Sequence, residues 1–120
     1  MAKLKTYRDL EVWQCAVELA VAVYRLSDLL PTRERFAMVD QFRRAVVSVP
    51  SNIAEGYARR YRKEYLYHLS IAAGSLAEME TQLFVAGKLG WITREQAAPV
   101  WELAQRTGMM LHRLRRQLAR

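Results

Sequence analysis

At 120 residues, with 52% hydrophobic and 26% charged side chains, the chain has the size and composition of one folded domain rather than a disordered or low-complexity protein. Five glycines and three prolines are too few for a loop-rich β fold. Nineteen Lys+Arg against twelve Asp+Glu give a net charge of +7, which favours polyanionic partners such as RNA, DNA or anionic lipid.

The opening stretch MAKLKTYRDLEVW has neither a long apolar segment nor a small-residue cleavage site, so no signal peptide is expected. No run approaches the roughly 18 uncharged apolar residues that a membrane span needs, so no membrane association is expected. Cys15 is the single cysteine and can form no internal disulfide, which fits a reducing, cytoplasmic setting. It lies in an apolar helical run, where a thiol is a small core residue.

The first helix is predicted over about 8–30. Val12, Ala16, Leu19, Val23, Leu26 and Leu30 follow a heptad-like spacing that ends at Pro31. Trp13, Val17, Ala20 and Tyr24 widen this face enough for two neighbours. The second helix is predicted over about 33–57, with Thr32 as its N-cap. Phe36, Val39, Phe42, Val46, Val49, Ile53 and Tyr57 share one face. Pro50 interrupts this helix chemically but not periodically. A proline inside a helix costs about 3 kcal/mol, because it removes one donor and crowds a carbonyl. Either the helix kinks there or it breaks near Ser48; the unbroken stripe favours a kink. Ser48, Ser51 and Asn52 are placed to satisfy backbone groups that the kink releases. Gly56 marks the helix end, as a left-handed residue or a point of close helix contact.

A basic turn follows, with Arg59, Arg60, Arg62 and Lys63 at four of the five positions from 59 to 63. The third helix is predicted over about 62–89, with Tyr65, Leu69, Ala72, Leu76, Met79, Leu83 and Ala86 inward and a small-residue waist at Ala72–Ser75. Gly90 stops it. Thr93 and Gln96 form a capping-box pair for the fourth helix, predicted over about 94–119. Four long helices with short connections force antiparallel neighbours. The expected product is an all-α, up-down-up-down four-helix bundle, one domain over 1–120, its second helix kinked at Pro50.

Enzyme chemistry finds no support in the motifs. Glu64 and His68 share a face at i and i+4, but no Glu-x-x-His occurs, so no metal is expected. Glu55, Glu78 and Glu80 are expected to pair across helices with Arg43, Arg44 or Arg60. There is no phosphate-binding glycine loop and no nucleophile constellation, so no catalytic residue and no cofactor are assigned. His68 is expected to be solvated or capping. The basic turn is interleaved with Tyr57, Tyr61, Tyr65 and Tyr67, the combination of stacking and phosphate contact that holds single-stranded or looped nucleic acid. The alternative is a solvated face beside core tyrosines. Arg60 has Glu64 at i+4 as an expected partner.

The chain resembles a known family in Asp9-Leu-Glu-Val-Trp13, Gln41-Phe-Arg-Arg-Ala45, Ser48-Val-Pro-Ser-Asn-Ile-Ala-Glu-Gly56, Arg62-Lys-Glu64 and Gly74-Ser-Leu-Ala-Glu78 with Glu80 and Gln82. These motifs are similar to those of the four-helix-bundle proteins encoded in 23S rRNA intervening sequences, the S23 family. The resemblance runs from about Tyr7 to Leu118. It implies a bundle that assembles into a ring, commonly a homopentamer. It also implies a relation to the accessory variability proteins of diversity-generating retroelements, which bind a reverse transcriptase and nucleic acid. The matching positions are Arg43, Arg44, Asn52, Glu55, Gly56, Arg60, Arg62, Lys63, Glu64 and Glu78. The family supplies no catalytic residue.

The resulting expectation is a non-enzymatic oligomeric scaffold that binds RNA or single-stranded DNA through Arg59, Arg60, Tyr61, Arg62, Lys63, Arg43 and Arg44. Lys3, Lys5, Arg8 and the C-terminal arginines assist. A reverse transcriptase or rRNA is its implied associate. The alternative is a protein-interaction oligomer that binds no nucleic acid. Wide apolar stripes with Trp13, Trp91 and Trp101 favour self-assembly in either case.

Overall fold

A capping arrangement opens the fold. In the computed structural model, which describes residues 4–120, Thr6 Oγ1 accepts from the Arg8 N–H at 3.0 Å, and Asp9 Oδ2 accepts from the Lys5 and Thr6 N–H groups at 2.9 and 3.1 Å. These backbone donors hold the Asp9 carboxyl below its ordinary pKa. The result is a separate 3-10 turn, Tyr7–Asp9. Leu10 is extended, and helix α1 runs Glu11–Ser27, so the first helix starts later and ends earlier than its periodicity predicts. Pro31 disfavours helical geometry at Leu30, and Asp28–Leu30 leave the helix in tight i→i+3 turns. Leu30 is buried nevertheless, because the turn folds it back over the core.

The next segment departs further. Thr32–Glu34 is a 3-10 turn in which Pro31 is the capping residue and the Thr32 side chain caps nothing. Arg35–Val39 is a π-helical turn, and regular helix α2 spans only Asp40–Ala58. A π turn advances each residue by less angle than an α turn. It rotates Phe36 off the stripe that Val39 and Phe42 continue. Phe36 is 90% exposed, contrary to its expected core position.

Helix α2 continues through Pro50, which is itself buried. Asn52 donates from Nδ2 to the Ser48 carbonyl at 2.9 Å and to Ser48 Oγ at 3.0 Å, while Ser51 faces solvent. Gly56 does not end the helix. It is buried within it, and a Cβ there would lie 2.9 Å from His68 Cβ and 3.0 Å from Tyr65 Cδ1, so the glycine serves close approach of the next helix.

Helix α3 spans Arg62–Lys88 and α4 spans Arg94–Ala119. Gly90 closes α3 at φ +77°; its N–H reaches the Gly87 carbonyl at 3.0 Å, and that of Trp91 reaches Ala86 at 3.0 Å. Thr93 and Gln96 cap α4 reciprocally, at 3.1 and 2.8 Å. In the waist of α3, Ala72 is buried and Ser75 donates to Ser48 Oγ at 2.8 Å, but Gly74 points outward with open space around it.

Each helix packs on its sequence neighbours, and α4 closes on α1. Asp28 at the end of α1 meets Arg43 near the start of α2; Arg62 at the start of α3 meets Arg120 beyond α4. Neighbours are therefore antiparallel, an up-down-up-down bundle of 43 × 26 × 22 Å. Leu19, Val23, Phe42, Val46, Val49, Ile53, Leu69, Met79 and Leu111 fill its axis. The connections α1–α2 and α3–α4 share one end. The α2–α3 turn, the Tyr7–Asp9 turn and the end of α4 share the other.

Candidate nucleic-acid interface

The basic turn is the three-residue link from α2 to α3. Arg59 leaves α2 with extended dihedrals, and its N–H still reaches the Glu55 carbonyl at 3.2 Å. Its guanidinium pairs with Glu55 Oε1 at 3.2 Å. Arg62 donates from Nη1 to the Arg120 carbonyl at 2.8 Å, which ties the turn to the C-terminus. Arg60 and Lys63 are exposed and form no ion pair among the described residues; the expected pair between Arg60 and Glu64 is not made. Tyr61 is 70% exposed beside them. Tyr57 and Tyr65 are half-buried and meet edge to face at 6.1 Å. Burial, with Tyr57 nearby, pushes the Tyr65 phenol up to about 12.

The bundle collects further charge at this end. Arg113, Arg115, Arg116 and Arg120 arrive on the last turns of α4. Arg113, Arg116 and Arg120 line one shallow cleft of about 370 Å³ with His112. The Tyr7–Asp9 turn packs against α2 and brings Lys5 and Arg8. Ten of the nineteen Lys+Arg thus sit at one end, where the acidic side chains among the described residues are Asp9, Glu11, Glu55 and Glu64. Lys3 lies outside the described residues. Arginines at i, i+3 and i+7 on one helix face repel each other by a few tenths of a kcal/mol per pair, which the helix C-terminal dipole offsets in part.

Arg43 and Arg44 are not part of this surface. They lie near the opposite end, about 24 Å away along α2 at 1.5 Å per residue. Arg43 donates from Nε to Ser27 Oγ at 2.8 Å and from Nη2 to Asp28 Oδ1 at 2.9 Å, and it stacks 4.8 Å above the Tyr24 ring. It pins the end of α1 to α2. Arg44 pairs with Asp40 at 3.1 Å, one turn away. The expected pairs of these arginines and Arg60 with Glu55, Glu78 and Glu80 across helices therefore do not form. Glu78 accepts from Gln82 at 3.3 Å, and partial burial without a cation raises the Glu80 pKa.

His68 is neither solvated nor paired with Glu64. Its side chain is 12% exposed between α2 and α3; Nδ1 lies 3.1 Å from Asn52 Oδ1 and 3.9 Å from Glu55 Oε2. His68, Asn52, Ser48 and Ser75 form one polar chain along the helix interface. Sequence reasoning missed it, although His68 stands 16 residues after Asn52 with only a short turn between. Among the described residues, no group of three or more His, Cys, Asp or Glu is placed to hold a metal ion, and no helix is long and apolar enough to cross a membrane.

The motifs of α2 and α3 and the turn between them lie inside a match to the 23S rRNA-intervening sequence protein family, over residues 8–113. The chain belongs to that family. Arg115, Arg116 and Arg120 lie beyond the matched range. A solved structure is similar over most of the chain: the crystal structure of a protein of unknown function from the S23 ribosomal protein family of Bacteroides thetaiotaomicron VPI-5482. Its identity is 25%, its TM-score 0.81, and the match covers 88% of this chain and 95% of that one. No curated protein matches the chain.

Proposed function

We propose that this protein is a non-enzymatic, oligomeric nucleic-acid-binding scaffold. Its binding surface is the basic end of the bundle, where Arg59, Arg60, Tyr61, Arg62 and Lys63 act with Lys5, Arg8 and the C-terminal arginines. The observation that carries this reading is the convergence of three basic segments, remote in sequence, at one end of the fold. Arg60 and Lys63 keep unpaired cations there, and Tyr61 offers an exposed ring for base stacking. The ligand is RNA or single-stranded DNA, held without strong sequence preference, because arginines on phosphates read charge and not bases. Family membership supports an association with rRNA, and the relation to retroelement accessory proteins that the sequence resemblance implies makes a reverse transcriptase a candidate partner. Assembly into a ring, a homopentamer by resemblance, repeats the patch and turns weak contacts into tight binding.

Fluorescence anisotropy of labelled single-stranded RNA and DNA across a salt series, with light scattering in parallel, tests this. Binding that weakens steeply with salt, by an oligomer, is expected. No binding at about 50 mM salt, where phosphate contacts are least screened, leaves the protein-interaction oligomer as the better reading. That second reading is supported by the exposed apolar side chains Val21, Tyr24, Val47, Phe84 and Trp101.

A further inference from the structure

At the end opposite the basic turn lies a groove between α3 and α4, with a volume of about 610 Å³. Phe84 and Trp101 meet edge to face at 5.3 Å in its wall, Gly87 and Ala98 leave it open, and Lys88 and Arg94 stand at its rim. On the other side of the molecule, the π-helical turn before α2 holds Phe36 90% exposed. A phenyl ring held out by an irregular turn is a knob, and π turns recur where a helix is used for function.

We propose that Phe36 of one copy seats in the Phe84–Trp101 groove of the next. This rests on the ring reading above and specifies its contact. Two observations select a second copy as the occupant. The cyclic packing order of the helices puts the α1/α2 edge opposite the α3/α4 edge, so knob and groove face away from each other and cannot meet within one chain. The antiparallel register, with Ser48 opposite Ser75 and Asn52 opposite His68, carries Phe36 to the level of the last turn of α3, the level of the groove. A head-to-tail contact between surfaces at equal height allows a ring to close, whereas unequal heights would climb into a filament. Below the knob, Val17, Ala20, Val21, Tyr24 and Pro50, with Arg25 beside them, line a second depression of about 430 Å³, which extends the contact down the α1/α2 edge. The basic ends of all subunits then face the same way, on one rim of the ring.

The test uses the full chain with two variants, Phe36→Glu and Ala98→Arg, both at exposed positions. Sedimentation gives the mass, and thermal melting checks that each variant is folded. The parent is expected to be an oligomer, and each variant alone a monomer, with apparent association weakened roughly 30-fold or more, as for an aromatic anchor. Mixed one to one, they are expected to form a dimer and nothing larger. Phe36 of the Ala98→Arg chain still fits the intact groove of the Phe36→Glu chain, but the complementary contact is blocked. If the parent is an oligomer and Phe36→Glu keeps its mass, this contact is overturned while the ring reading stands. If the variants are monomeric but do not pair on mixing, the head-to-tail geometry is overturned. If the parent is monomeric at about 100 μM, where even a Kd near 10⁻⁵ M would show, both readings fall.

Discussion

Asn52 and His68 bridge α2 and α3 through a 3.1 Å bond between Asn52 Oδ1 and His68 Nδ1. Asn52 directs both amide hydrogens at Ser48, so its oxygen is the acceptor, and this network assigns the proton to His68 Nδ1. Replacing Asn52 by Ala leaves the Ser48 hydroxyl and the His68 N–H without that partner in a half-buried site. The expected cost is about 1–2 kcal/mol. Denaturant melts of Asn52→Ala, His68→Ala and the double variant check it. A coupling energy of about 0.5–1.5 kcal/mol is expected; additive losses would mean that the bond contributes nothing.

Two glycines in helix interiors should respond to alanine with opposite signs. At Gly56 the new methyl meets His68 Cβ at 2.9 Å and the Tyr65 carbonyl oxygen at 3.2 Å. Overpacking of this kind costs about 1–3 kcal/mol, more than the helix-propensity gain of about 1 kcal/mol. Gly74 has nothing within 4 Å, so Gly74→Ala should stabilise by about 0.5–1 kcal/mol. Thermal melts read both changes, and a higher Tm for Gly56→Ala would contradict the close-approach account.

Much of this architecture was legible because burial is one-sided along each helix. Val12, Ala16, Leu19, Val23 and Leu26 repeat at helical spacing and are all buried. Phe36 was misread because a period cannot register one extra residue in a turn; the stripe looked continuous while the backbone changed pitch. Arg43 was misread for a different reason. An arginine's role depends on what faces it, and Asp28 and Ser27 come from another helix. The polar chain through His68 was hidden likewise, since Glu64 is its helical neighbour in sequence but Asn52 is its neighbour in space.

Arg43→Ala should therefore be a stability variant. It removes a charged hydrogen bond to Ser27, an ion pair to the largely exposed Asp28, and stacking on Tyr24. After solvent screening of the exposed pair, a loss of about 1–2 kcal/mol is expected. Its affinity for single-stranded RNA, measured on the folded variant, should match the parent. Unchanged stability with lost RNA binding would return Arg43 to the binding surface.

Tyr65 makes stability pH-dependent at the alkaline end. Its pKa is pushed up to about 12 in the fold, from 10.0 unperturbed. Between these values the unfolded chain has lost the proton and the native chain keeps it, so stability present below pH 10 falls as pH rises toward 12. The ring is only half-buried, so the effect is smaller than the full shift implies. Tyr65→Phe should melt like the parent at pH 7 and lose less stability than the parent from pH 10 to 12. Parallel losses in the two proteins would remove this account.

The final prediction concerns the basic end. Arg60 and Lys63 are exposed and form no ion pair among the described residues, so Arg60→Glu with Lys63→Glu should leave stability within about 0.5 kcal/mol of the parent. On nucleic acid the effect should be large. Each phosphate neutralised by a side chain releases counterions and contributes about 0.7 to the slope of log affinity against log salt for a single strand. Two lost contacts flatten the slope by about 1.4, and repulsion from the new carboxylates weakens binding further. Arg59 and Arg62 are poorer probes, because Glu55 and the Arg120 carbonyl already engage them and a change there disturbs the fold as well. Anisotropy titrations from about 50 to 300 mM salt, with Arg43→Ala as the control for stability, separate the two ends of the bundle. A folded double variant with the parent's affinity and slope would clear the basic turn of any role. If truncation after Arg113 were then the change that flattened the slope, the arginine face of α4 would be the surface that meets the phosphates.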